Sequence, residues 1–191
     1  MTTYENLRVA RRGPIVSIAA YLLLTIAKLI AGHFLNSSSL IADGFNNLSD
    51  ILGNVALLIG LQLASQPADS DHRFGHWKIE DLSSLVTSFI MFVVGFQVLI
   101  QTVRKIFLRE ETVVDPLGAA VGVLSAIVMC AVYFYNKGLA KKLKSSALIA
   151  AAKDNLSDAV TSIGTSIAIV AASFNLTIMT ILLLLSSPSS S

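Results

Sequence analysis

Three stretches of this 191-residue chain contain no charged residue: Leu82 to Val103, Leu117 to Asn136, and Ala159 to the C-terminus. At 1.5 Å per helical residue, about 20 residues cross the ~30 Å hydrocarbon core of a bilayer. Backbone placed in hydrocarbon must satisfy its own hydrogen bonds, so runs of this length are expected to be helices. Only 14% of the chain is charged, against about 25% in a soluble domain, and the mean hydropathy is +0.71. These values exclude a soluble enzyme, a nucleic-acid-binding module and a disulfide-stapled secreted domain. The single Cys130 lies in an apolar run and is expected to be a small buried side chain.

The fold class expected is therefore all-α, a polytopic transmembrane helical bundle of six spans in the lipid bilayer. They run over about 14–34, 38–64, 82–107, 117–136, 145–172 and 175–185, followed by a Ser-rich tail at 186–191. The first is too long, and too well followed by further spans, for a cleaved signal peptide. Asp115-Pro116 marks a helix start. The sixth reads as cut short, since eleven residues reach only about 16 Å. Basic residues set the orientation. With the N-terminus inside, inner segments hold Arg8, Arg11, Arg12, Arg73, Lys78, Lys137, Lys141, Lys142 and Lys144, whereas outer ones hold only Arg104, Lys105 and Arg109. The N-terminus and the 65–81 and 137–144 connections are thus expected in the cytoplasm. The membrane is expected to be the plasma (inner) membrane, and Trp77 is expected to anchor at its surface.

Ionisable groups at membrane depth cost ~2.5–3.5 kcal/mol each on insertion scales and by default mark function. The second span contains Asn46-Asn47-Leu48-Ser49-Asp50, and the fifth contains Asp154-Asn155-Leu156-Ser157-Asp158. The shared Asn-Leu-Ser-Asp aligns Asn46 with Asp154 and Asp50 with Asp158. Each pair is spaced i, i+4, so its side chains share one helix face with Cβ atoms about 6 Å apart. Counted from the span ends, all four fall within about 5 Å of the midplane. Three carboxylates at one depth repel unless a cation sits between them. A divalent metal ion alternating with protons is the natural counter-charge. Asn47 and Asn155 are expected to pack elsewhere on their helices. Asp43 is an outer ligand or a solvated vestibule group; Lys28 and Lys153 either pair with these acids or snorkel, and for Lys28 snorkelling towards the interface is the expected choice.

On these residues the chain resembles the cation diffusion facilitator family of divalent-metal/proton antiporters, manganese branch. The resemblance reaches to about Phe174 and includes His72-Arg73-Phe74-Gly75-His76, similar to that family's His-Xaa-Phe-Gly-His signature. It implies a transport site of Asn46, Asp50, Asp154 and Asp158. It also implies a secondary loop site of Asp69, His72 and His76, for Zn²⁺ or Mn²⁺, and a homodimer. Family members usually continue into a cytoplasmic metal-binding domain, which this chain is expected to lack. Zinc-selective members typically place a His in the four-residue site; here there is none. Oxygen-only ligands suit Mn²⁺, with Fe²⁺ second and Zn²⁺, Co²⁺ or Cd²⁺ as alternatives. The expected function is proton-coupled export of Mn²⁺ by alternating access, not catalysis. Two other classes compete with this reading. An intramembrane aspartyl protease also uses two membrane aspartates, but no Gly-Xaa-Gly-Asp motif is present; the other is a passive divalent-cation channel.

Overall fold

A computed structural model describes residues 3–34, 38–67, 76–108 and 116–186. Among the described residues every regular element is helical: α1 (Thr3–Ala10), α2 (Arg12–Phe34), α3 (Ser38–Ala64), α4 (Ile79–Leu108), α5 (Pro116–Leu143) and α6 (Ser146–Ser186). Pro14 lies in the first turn of α2 and Pro116 opens α5, where a missing N–H costs nothing. Glu80 and Asp81 occupy the first turn of α4, and Lys141 and Lys142 the last turn of α5. Each charge opposes the helix dipole at its own end.

Two features differ from expectation. The short helix α1 was not anticipated; it buries Leu7 and Ala10 against Leu57, Leu61, Ala147 and Leu148. The expected division into a fifth span at 145–172 and a sixth at 175–185 is corrected to one continuous helix. Ser173 and Asn175 lower hydropathy, but no Gly or Pro lies between Thr165 and Ser186. Serine and asparagine weaken a helix by well under ~1 kcal/mol each, so the hydrogen-bond ladder runs through them. At 41 residues, α6 is about 60 Å long, twice the hydrocarbon core.

Helices α2 and α3 pack as one hairpin and α5 and α6 as another; α4 lies beside α3 and α6. The turn joining α5 to α6 is closed at both ends. Lys144 adopts φ 55°, and the Ser145 N–H donates to the Ala140 carbonyl at 3.2 Å, the bond of a Schellman cap. Ser145 Oγ then accepts the Leu148 N–H at 3.2 Å as the N-cap of α6. The same hydroxyl donates to Glu80, and Ser146 Oγ donates to Asp81 at 3.1 Å. The starts of α4 and α6 are tied together in this way. Since a lysine in the left-handed region costs ~1–2 kcal/mol that glycine does not, Lys144→Gly is expected to be stabilising. A melt in detergent should show a midpoint raised by about 2–4 °C for a chain of this size; a lowered midpoint contradicts this account of the turn.

A second core joins Tyr21, Leu24, Met129 and Ala159, with Cys130 packed against it as a free thiol. The outside is apolar. Leu22, Leu23, Phe45, Leu52, Phe89, Phe92, Phe96, Ile127, Phe134 and Ile167 are all exposed, an outer surface suited to lipid rather than water. Four segments among the described residues are long and apolar enough to cross a bilayer: Glu5–Phe34, Asp43–Ala64, Ile79–Gln97 and Leu117–Leu143.

Candidate metal centre

Helix α3 carries Asp50 and helix α6 carries Asp154 and Asp158, one turn apart on a single face. The fold brings the three together. One carboxylate oxygen from each can be chosen so that all lie within 4.8 Å of one another. Asn46, one turn before Asp50 on α3, lines the same cavity of about 700 Å³. The cavity lies between α3, α4 and α6, with Ser49, Gly53 and Ser88 on its walls. Along α6 it extends from Thr161 past Lys153 to Ser146 in the first turn, so one continuous space joins the carboxylates to the end of the helix. All four residues aligned by the sequence repeat therefore meet in one place. Such a cluster offers only oxygen donors, with three negative charges when ionised, and is chemically suited to a hard divalent cation.

The carboxylates are held from behind by a group not anticipated from sequence. Tyr21 of α2 is buried; its hydroxyl donates to Asp158 Oδ2 and lies 3.4 Å from Asp154 Oδ2. Asn155 Nδ2 in turn donates to that hydroxyl at 3.1 Å. Asn155 Oδ1 accepts from Asn136 Nδ2 at 2.8 Å and from Ser17 Oγ at 3.3 Å, and Asn136 Nδ2 also reaches Ser17 Oγ at 2.9 Å. Asn155 is thus more than a packing residue: it links α2, α5 and α6 beneath the site. The sequence contained a signal for this. Ser17, Tyr21, Thr25 and Lys28 are all buried and recur every three to four residues in an otherwise apolar helix. In a membrane span that spacing marks the inward face.

The expectation for Lys28 is also corrected. Its side chain does not snorkel: it is 2% exposed, pairs with Asp43 Oδ2 at 2.8 Å, and donates to Asn47 Oδ1 at 3.4 Å. Snorkelling suits a lysine facing lipid, whereas this one faces α3. Asp43 is therefore engaged by a cation, and Asn47 belongs to the same polar contact. Of the loop cluster, Asp69 and His72 lie outside the described residues. His76 Nδ1 is 3.3 Å from the Pro67 carbonyl oxygen. Trp77 is exposed, with Lys78 Nζ 5.6 Å from its ring centroid.

Comparison with known proteins gives a consistent picture. The chain is 50% identical over 176 residues to the manganese efflux system protein MneS of Bacillus subtilis (strain 168), covering 92% of this chain and 61% of that protein. It is 45% identical over 169 residues to the uncharacterized transporter YdbO of the same organism, covering 88% and 58%. With the manganese efflux system protein MneP, also from that organism, identity is 27% over 168 residues, covering 88% and 56%. The chain spans about three fifths of the length of these relatives. Residues 15–186 match the family described as the cation efflux transmembrane domain. With its apolar helices and lipid-suited exterior, the chain is an integral membrane protein, and it belongs to the cation efflux (cation diffusion facilitator) family.

Proposed function

We propose that this protein exports a divalent metal ion, Mn²⁺ first, from the cytoplasm in exchange for protons. The transport site is Asn46, Asp50, Asp154 and Asp158. The observation that carries this reading is the convergence of three carboxylates from two helices, with ligand oxygens within 4.8 Å of one another, in a cavity they share with Asn46. Isolated carboxylates at this depth are expensive, and a 2+ ion or protons neutralise them. An all-oxygen donor set suits Mn²⁺ among the first-row metals that transporters handle. The relative at 50% identity, a manganese efflux protein, supports the same choice. Fe²⁺ is the next candidate, then Zn²⁺, Co²⁺ and Cd²⁺.

The excess of Arg and Lys on one set of connections supports a cytoplasmic N-terminus, and the membrane of this proposal is the plasma (inner) membrane. In that orientation the Ser146 end of the cavity faces the cytoplasm, the side from which the metal enters. Asp69, His72 and His76 form a secondary loop site for Zn²⁺ or Mn²⁺, and the working unit is a homodimer. The protein is a carrier rather than an enzyme. Initial rates of uptake into proteoliposomes, across a panel of divalent cations and with or without a pH gradient, test this. Mn²⁺ should be favoured and its accumulation should rise with an opposing proton gradient. Flux indifferent to that gradient refutes exchange and favours a channel.

A further inference from the structure

We infer that Tyr21 is a positioning residue that sets which ions the carboxylate site accepts, by occupying one oxygen of Asp158 so that a single oxygen remains for the ion. The inference rests on reading Asp50, Asp154 and Asp158 as metal ligands. A tyrosine hydroxyl has one proton and can accept through its oxygen. Because Asn155 Nδ2 donates to that oxygen, the hydroxyl proton is directed to the carboxylate side, where Asp158 Oδ2 accepts it. Asn155 is itself pinned, since its Oδ1 receives Asn136 Nδ2 and Ser17 Oγ. Ser17, Tyr21, Asn136 and Asn155 are all buried. Every amide and hydroxyl in this chain therefore points the same way, and the arrangement leaves Tyr21 little freedom to release Asp158.

The consequence for an ion is one of coordination number. Ca²⁺ takes 6–8 oxygens in flexible geometry and commonly engages both oxygens of a carboxylate. Mn²⁺ favours octahedral oxygen coordination, which one oxygen per carboxylate supplies without crowding. With Asp158 Oδ2 held by the phenol, bidentate ligation at this residue competes with the hydrogen bond for that oxygen's electron density and weakens it. Ca²⁺ then weakens a hydrogen bond to a charged group that Mn²⁺ leaves intact. Tyr21 thus discriminates by ligand count rather than by touching the ion. The same geometry gives it no means of separating Mn²⁺ from Mg²⁺, which is also octahedral.

The test is Tyr21→Phe in the full chain, purified in detergent, with Mn²⁺ affinity measured by calorimetry and Ca²⁺ affinity by competition against Mn²⁺. Phenylalanine keeps the ring and removes only the hydroxyl. The Mn²⁺-over-Ca²⁺ preference should fall about tenfold, the scale of one hydrogen bond to a charged group, with Ca²⁺ affinity rising while Mn²⁺ affinity stays level or drops. A merely structural role moves both affinities by one factor, and an unchanged ratio overturns the inference. Should Tyr21→Phe not fold, Asn155→Leu keeps the phenol but removes the donor that directs it. The ratio should fall in the same direction by less, and an unchanged ratio is again fatal. Asp158→Asn run in parallel separates the two levels. Loss of Mn²⁺ binding there with an unchanged ratio in Tyr21→Phe rejects Tyr21's role alone, whereas wild-type Mn²⁺ binding in Asp158→Asn rejects the metal site itself.

Discussion

Asp50→Ala and Asp158→Ala should each reduce Mn²⁺ transport by about a hundredfold or more, because removing one partner of a buried charge interaction costs ~3–5 kcal/mol. No neighbour can replace either ligand. Asp50 is the α3 member of the three-carboxylate cluster, and Asp158 is the carboxylate that Tyr21 presents to the cavity. Loss of fold is distinguished by a second reading on the same samples. Without metal, Asp50→Ala should melt no lower than wild type, since a like charge has left a crowded cluster, whereas Asp158→Ala also strands the buried Tyr21 hydroxyl and should melt modestly lower while remaining folded. With metal, the upward shift in melting that a bound ligand produces should disappear. Wild-type transport by either variant at equal expression refutes the assignment.

The second large effect is on selectivity. Asp154→His puts one imidazole nitrogen into an otherwise all-oxygen site and removes one negative charge. Both changes favour Zn²⁺ over Mn²⁺, because nitrogen donors suit the later metal and Mn²⁺ depends more on carboxylate charge. A differential of only ~1.4 kcal/mol moves the Zn²⁺/Mn²⁺ ratio tenfold, and tenfold or more is the expected change in the ratio of initial rates at pH 7.5. Imidazole binds metal only when deprotonated, so the gained Zn²⁺ transport should fade as the cytoplasmic side is acidified. An unchanged ratio means that position 154 does not ligate the ion. The Asn-Asp-Asp-Asp site would then be wrong as drawn.

The carboxylates were legible in the sequence because their cost at membrane depth makes them conspicuous and helical rise converts position into height. Asp50 and Asp158 could be paired across two helices from that arithmetic alone. Tyr21 was not legible in the same way. Within an apolar run a tyrosine reads as one more large side chain, and its task is defined only when α2 lies against α6. Its face could still have been read, since the polar residues of α2 share one stripe. For Lys28 the sequence leaves pairing and snorkelling both open, and an isolated helix, which shows a lysine no partner, favours snorkelling. Yet Lys28 stands six residues before the end of α2 and Asp43 five after the start of α3. In an antiparallel hairpin these positions are level. The supposed boundary within α6 failed differently, because hydropathy marks depth in the membrane and does not report whether a helix is broken.

The Lys28–Asp43 pair has an electrical consequence. Three ionised carboxylates around a doubly charged ion carry one negative charge in excess, and Lys28, the buried lysine of α2, is not free to cancel it. The Lys28 ammonium is already matched by Asp43 at 2.8 Å. In the proposed cycle the three carboxylates with the metal sum to one negative charge, whereas with one proton on each they sum to zero. A membrane voltage acts on moving charge at ~2.3 kcal/mol per elementary charge per 100 mV. The two halves of the cycle then differ by one elementary charge and respond differently to the field.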